Sequence, residues 1–199
     1  MKVIGLCGGS GSGKGKASKC FANRGIPSLD TDELYHSIIS TDSECTREIA
    51  MVFGKDVLCE NGGVDRRKLS QIVFSEKDGR MLEQLNKITH KYVLEECRFW
   101  LDARKNDGYS AAIIDAPLLF ESGFDKECDI IICVEADEQT RIKRIIERDH
   151  ATEEMAKTRI KNQADDKFLE ERSDYIIKNS SDISSLDLQV EKICRLIIK

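Results

Sequence analysis

Residues 8–14 read Gly-Gly-Ser-Gly-Ser-Gly-Lys and follow directly on the apolar run Val3-Ile4-Gly5-Leu6-Cys7. A strand feeding a glycine-rich turn that ends in lysine is built to hold phosphate. Glycines let the backbone approach phosphate oxygens and turn its N–H groups inward, the helix that follows offers its positive end, and the lysine adds a mobile cation. A helix is predicted from Lys14 to about Arg24, with Ala17, Phe21 and Ala22 as its apolar positions. The loop therefore sits in the strand–turn–helix context that such a motif requires. Gly8, Gly9, Ser10, Gly11, Ser12, Gly13, Lys14, Gly15 and Lys16 are assigned to nucleotide phosphates. The pattern GxxxxGK[ST] holds through Lys14, but the hydroxyl that usually touches Mg²⁺ is replaced by Gly15. A dinucleotide loop is a poor alternative, because Lys14 has no use there.

The chain has 199 residues, enough for one well-filled core with an inserted subdomain. No apolar run approaches the ~20 residues of a membrane span, and the N-terminus carries the loop where a signal peptide would lie, so no membrane association is expected. A net charge of −5 argues against a nucleic-acid-binding surface. Eight cysteines are scattered without CxxC or Cys/His ligand spacing, several inside apolar runs. They read as reduced, mostly buried thiols in a cytoplasmic protein.

Four further apolar runs read as strands: 26–29, stopping at Asp30; 111–114, stopping at Asp115; 130–134; and 175–177. Helical patterns separate them, one over 137–149 with Ile142, Ile145 and Ile146 on a face, and one at the C-terminus carrying Leu186, Val190, Ile193 and Ile197. This alternation predicts an α/β fold with a parallel sheet covered by helices. Residues 31–108 hold too much helix for a single crossover. The division read from the sequence is a core of 1–39 and 109–199, a helical lobe at 40–108 and a small lid at 144–165. Residues 141–163 carry seven basic against four acidic residues inside an acidic chain. Most of these line a solvated helix face, but Arg144 and Arg148, at i and i+4, could reach one anion together.

Ligands of open α/β sheets bind beyond the carboxyl ends of the strands. Asp30, Asp32 and Asp115 fall there. Asp115 is expected to hold Mg²⁺ or its waters. Asp30 also fits an N-cap, with Glu33 as the third residue of a capping box. Asp32 is then assigned to an acceptor hydroxyl. Phosphoryl transfer has a loose transition state in which positioning and charge outweigh base strength, so Arg144 and Arg148 join Lys14 and Asp32 as catalytic candidates.

These pieces together resemble the dephospho-coenzyme A kinase family over nearly the whole chain. The loop is similar to the family's opening loop, and Asp30-Thr31-Asp32 to its Asp-x-Asp. Val64-Asp65-Arg66 with Leu69 and Val73-Phe74 resembles its inserted-lobe signature, and Pro117-Leu118-Leu119-Phe120-Glu121 is the most family-specific string. Arg148-Asp149, Arg159-Ile160 and Gln163 are similar to its lid region, and Ser173-Asp174 with Ile176-Ile177 and Asn179 to its adenine-side strand ending. The resemblance implies a P-loop kinase core with a five-stranded parallel sheet, a helical substrate lobe for the pantetheine arm, and a closing lid containing Arg144 and Arg148. It further implies ATP with Mg²⁺, and Asp32 activating the 3′-hydroxyl of dephospho-coenzyme A. A monomer is expected. Gly15-Lys16 departs from the family's Ser-Thr, and His90-Lys91 from its His-Pro. Two alternatives stay open: a nucleoside or nucleotide kinase of the same fold, and a catalytically degenerate nucleotide-binding regulator.

Overall fold

The computed structural model describes residues 1–75 and 78–198. Five strands form one sheet in the order β2-β3-β1-β4-β5: β1 Lys2–Cys7, β2 Ser28–Asp30, β3 Ala111–Asp115, β4 Ile130–Glu135 and β5 Tyr175–Lys178. The β1–β3, β1–β4 and β4–β5 pairings are all parallel. β3 is buried at every position, as a strand with both faces covered must be. Register is fastened from outside the strands. Asp129 donates its N–H to the Val3 carbonyl (2.8 Å) and accepts the Val3 N–H on its carboxylate (2.7 Å). Asp174 does the same for Ile131, at 2.9 and 2.8 Å.

The chain divides into two compact units. The first comprises Met1–Leu29 and Leu101–Lys199, the second Asp30–Trp100. In the first, Ile4, Leu6, Ile113, Ile132, Val134 and Ile177 line one sheet face. They bury Ala17 and Phe21 of α1 (Lys14–Ala22) and Leu186, Val190 and Ile193 of α9 (Ile183–Ile197). Each fully buried large side chain contributes about 1.5–3 kcal/mol relative to exposure. The opposite face is shaped by Gly5: a Cβ there would lie 2.8 Å from the side chain of Leu119, which is wholly buried. That contact explains one leucine of the Pro-Leu-Leu-Phe-Glu string as packing. α6 (Glu138–Asp149) and α7 (Glu153–Lys161) share a small core of Ile142, Ile145 and Ala156, and α8 is short (Asp166–Glu170).

The second unit is helical: α2 Thr31–Ile39, α3 Glu44–Phe53, α4 Arg66–Val73, and most of α5 Arg80–Asn106. Its core joins Ile39, Ile49, Phe53, Val64, Leu69, Val73 and Ile88. Asp65 caps α4 through the N–H groups of Arg67 and Lys68, and Ser43 with Thr46 forms a capping box on α3. The Val64-Asp65-Arg66 string is thus a core residue followed by a cap. All eight cysteines are free thiols. Among the described residues, no helix is long and apolar enough to cross a membrane.

Candidate active site

The glycine-rich segment leaves β1 at Cys7 and enters α1 at Lys14, with Gly13 at the N-cap in the left-handed region (φ 96°) and no side chain capping the helix. Every carbonyl from Gly8 to Gly13 has a partner. Gly8 accepts from Lys14 Nζ (3.1 Å) and Gly9 from the Ser12 N–H (3.1 Å). Ser10 accepts from Arg141 Nε (3.0 Å), and Gly11 and Ser12 accept from the Arg144 guanidinium (3.2 and 3.1 Å). Asn179 Nδ2 also donates to Ser12 (2.7 Å), while Gly13 receives the N–H groups of Lys16 and Ala17 (2.9 and 3.2 Å). In a planar trans peptide, C=O and the following N–H point in opposite directions. Fixing the carbonyls therefore fixes the amides. The N–H groups of Gly11, Gly13, Lys14 and Gly15 have no hydrogen-bond partner among the described residues. Four such donors at the positive end of a helix make a nest for an anion.

Lys14 also lies 4.0 Å from Asp115 Oδ1, and Asp115 is buried at the end of β3, paired in register with Leu6 of β1. Its other oxygen, Oδ2, accepts from Ser18 Oγ at 3.2 Å. Lys14, Asp115 and the loop are thereby brought together at the carboxyl end of the sheet. Gly15 faces open space, since a Cβ there would touch nothing within 4 Å.

Arg144 and Arg148 share a face of α6 but engage different partners. Arg144 grips the loop from behind and reaches the Asn179 carbonyl (2.8 Å). Arg148 forms a fork with Asp149 (2.7 and 2.9 Å), and Arg159 joins the same carboxylate. Arg148, and secondarily Arg159, hold the Asp149 carboxyl down to about 2. Asp32 belongs to the other unit. It lies in the first turn of α2, where Asp30 caps the helix by accepting the N–H groups of Asp32 (2.8 Å) and Glu33 (3.1 Å).

The dephospho-CoA kinase family model matches residues 2–185. The chain belongs to the dephospho-CoA kinase family. A relative described as dephospho-CoA kinase from Fusobacterium nucleatum subsp. nucleatum is 38% identical over 197 residues, covering 99% of each chain. One from Arabidopsis thaliana is 34% identical, covering 97% of this chain and 82% of its own. The solved dephospho-CoA kinase from Campylobacter jejuni superposes with a TM-score of 0.73 at 24% identity, over 100% of this chain and 98% of that one. Shikimate kinase from Acinetobacter baumannii shares the fold more loosely, with a TM-score of 0.57 at 18% identity over 99% and 93% of the two chains. This dephospho-CoA kinase family member thus has the five-stranded parallel core of the P-loop kinases.

Three residues that sequence reasoning passed over are prominent in it. Ser18 lies one helical turn beyond Lys14, and that i+4 spacing was available as a signal. Arg141 was hidden in the charge count of 141–163, and nothing local marks its side chain as buried. Asp166, which pairs with Arg141 at 2.9 and 3.0 Å, carries no motif.

Proposed function

We propose that this protein transfers the γ-phosphoryl group of ATP to the 3′-hydroxyl of dephospho-coenzyme A, giving coenzyme A and ADP, the last step of coenzyme A synthesis. The observation that carries the ATP half is the set of unpaired amides at Gly11, Gly13, Lys14 and Gly15 around a lysine tied to a buried aspartate. Family membership carries the acceptor.

In this reading the loop from Gly8 to Lys16 holds the triphosphate, and Lys14 neutralises its β- and γ-oxygens. The acceptor's 3′-oxygen bonds to the γ-phosphorus as the bond to the β,γ-bridging oxygen breaks. The hydroxyl proton passes to the Asp32 carboxylate and on to solvent. A carboxylate with a reference pKa of about 3.9 is a weak base, but in a loose transition state its main task is to align the alcohol. Positioned proton acceptance of this kind contributes about 10²–10⁴-fold. Arg144 and Arg148 belong to the lid region 144–165. Arg144, by orienting the Gly11–Ser12 carbonyls, also serves the loop. The helical lobe at 40–108 takes the pantetheine arm.

Mg²⁺ fits the donor set. It favours one or two carboxylates together with water and substrate phosphates over a cage of protein ligands. Asp115 offers one buried hard-oxygen carboxylate beside the lysine. Among the described residues, no cluster of three or more His, Cys, Asp or Glu could hold a metal. Bound there, the ion would neutralise charge on the β- and γ-phosphates. Gly15 supplies no hydroxyl, so waters would fill that side. A monomer acting in the cytoplasm completes the reading, and eight free thiols suit a reducing compartment.

Gly15-Lys16 is the one feature that favours a non-catalytic nucleotide sensor. Incubation with Mg-ATP and either dephospho-coenzyme A or a panel of nucleosides separates the readings. ADP and coenzyme A formed in equal amounts support the kinase; binding without turnover supports the sensor; turnover of nucleosides alone supports a different kinase.

A further inference from the structure

Among the described residues of the first unit Arg141 is the most buried cation, only 3% exposed, and the family assignment gives it no task. Its guanidinium makes contacts in three directions. Nε donates to the Ser10 carbonyl (3.0 Å), one terminal nitrogen forks onto both Asp166 oxygens (2.9 and 3.0 Å), and the other reaches Gln163 Oε1 (3.3 Å). Gln163 itself grips the same loop residue. It accepts the Ser10 N–H at 2.7 Å and donates to Ser10 Oγ at 3.1 Å. Ser10 is therefore held on both sides of its peptide by one guanidinium and one carboxamide.

The loop is shaped around this side chain. A Cβ on Gly9 would collide with the Arg141 guanidinium, and one on Gly11 would lie 2.6 Å from the Arg141 carbonyl. These two glycines are small as much for Arg141 behind them as for phosphate in front. Because the Ser10 carbonyl and the Gly11 N–H belong to one peptide, the Arg141 bond decides which way the Gly11 donor faces. The far end of the tie lies in α8: Asp166 opens that helix and its side chain is 53% exposed, whereas the Arg141 side chain is 4% exposed.

We infer that Arg141 is a positioning residue for nucleotide, presenting the Gly11 amide to the triphosphate and coupling the loop to the α7–α8 segment through Gln163 and Asp166. It acts through Ser10 and touches no reacting atom. A buried guanidinium relieved of its carboxylate must redistribute its donors, so disturbing Asp166 is transmitted to the loop. The inference rests on the reading of residues 8–16 as the ATP site.

The test measures affinity for a non-hydrolysable ATP analogue by titration calorimetry, together with KM for each substrate, in Arg141→Lys, Asp166→Asn and the double variant. Lysine keeps the charge, but its single ammonium nitrogen cannot occupy the three separated donor positions that Arg141 fills with Nε and its two terminal nitrogens. Arg141→Lys is expected to weaken analogue binding about tenfold, the scale of one charge-assisted hydrogen bond. Asp166→Asn should weaken it about threefold, and the double variant should be no worse than Arg141→Lys, as members of one network behave. KM for dephospho-coenzyme A should stay within about twofold in all three. Asp166 is half exposed and removable without opening the core, so Asp166→Asn decides the matter if Arg141→Lys fails to fold. Wild-type affinity for the analogue in Asp166→Asn overturns the inference, as does an equal loss for both substrates, which a merely structural role would give. A wild-type protein that binds no analogue would instead refute the functional reading.

Discussion

Asn179 donates its side-chain amide to the Ser12 carbonyl across 2.7 Å, joining the end of β5 to the phosphate loop. Asn179 is buried, and its own carbonyl accepts from Arg144. The contact fixes the peptide whose N–H belongs to Gly13. Together with Arg141 and Arg144 it explains how a run of small, flexible residues is held in one conformation.

Gly13→Ala tests that closeness. Gly13 has φ 96°, and a Cβ would collide with Asn179 Nδ2. The left-handed backbone alone costs about 1–3 kcal/mol for a residue with a side chain. The variant should melt several degrees lower and lose most of its ATP affinity. Gly25→Ala carries similar backbone strain (φ 77°) in open space, and should melt lower while binding ATP normally. Equal ATP affinities in the two variants would contradict the assignment of the loop.

Asp32→Asn separates alignment of the acceptor from binding of ATP. Asp32 is assigned to the acceptor hydroxyl, so the variant should lose at least about a hundredfold in kcat with unchanged affinity for ATP. Equal losses in both would mean that Asp32 serves the nucleotide. The helix should survive, because its cap is Asp30 and the bond from Asp32 to that cap uses the backbone N–H.

Gly15→Ser restores the usual hydroxyl where there is room for it, since a Cβ at Gly15 meets nothing within 4 Å. The variant is expected to reach half activity at a lower Mg²⁺ concentration. An unchanged Mg²⁺ requirement would show that Asp115 and water already complete the shell.

The sheet end also sets a pH dependence of stability. Burial, and then the charge and hydrogen bond of neighbouring Glu170, push the Glu135 carboxyl from 4.5 up to about 7. The folded protein therefore holds a proton that the unfolded chain has released. Stability from this source is fully present below pH 4.5 and is lost as pH rises through 7. Wild type should melt lower at pH 8 than at pH 5.5, and Glu135→Gln should flatten that fall. Superimposable melting profiles against pH for the two proteins would refute the assignment.

Much of this was legible in the sequence, for physical reasons. The central strands β1, β3 and β4 show as apolar runs because strands covered on both faces need them, and β3 ends at Asp115 as its run does. β2 falls at Ser28–Asp30, later than the run 26–29, because an edge strand with no buried position carries little apolar signal. The α2 cap at Asp30 was readable because capping uses residues close in sequence. What could not be read depends on contacts between distant segments. α6 lies against the loop so that Arg141 and Arg144 meet its carbonyls, and no local pattern separates a guanidinium that will be buried from its solvated neighbours. Ser18 is intermediate: its spacing from Lys14 was visible, but its acceptor, Asp115, comes from another strand.

The most direct measurement is phosphorus NMR of a reaction containing only this protein, Mg-ATP and dephospho-coenzyme A. Transfer to the 3′-hydroxyl requires a new phosphomonoester on the 3′-oxygen of the acceptor ribose, growing in step with ADP and absent with Asp32→Asn on the same time scale. A phosphate placed on any other oxygen, or ADP accumulating with the acceptor unchanged, would contradict it.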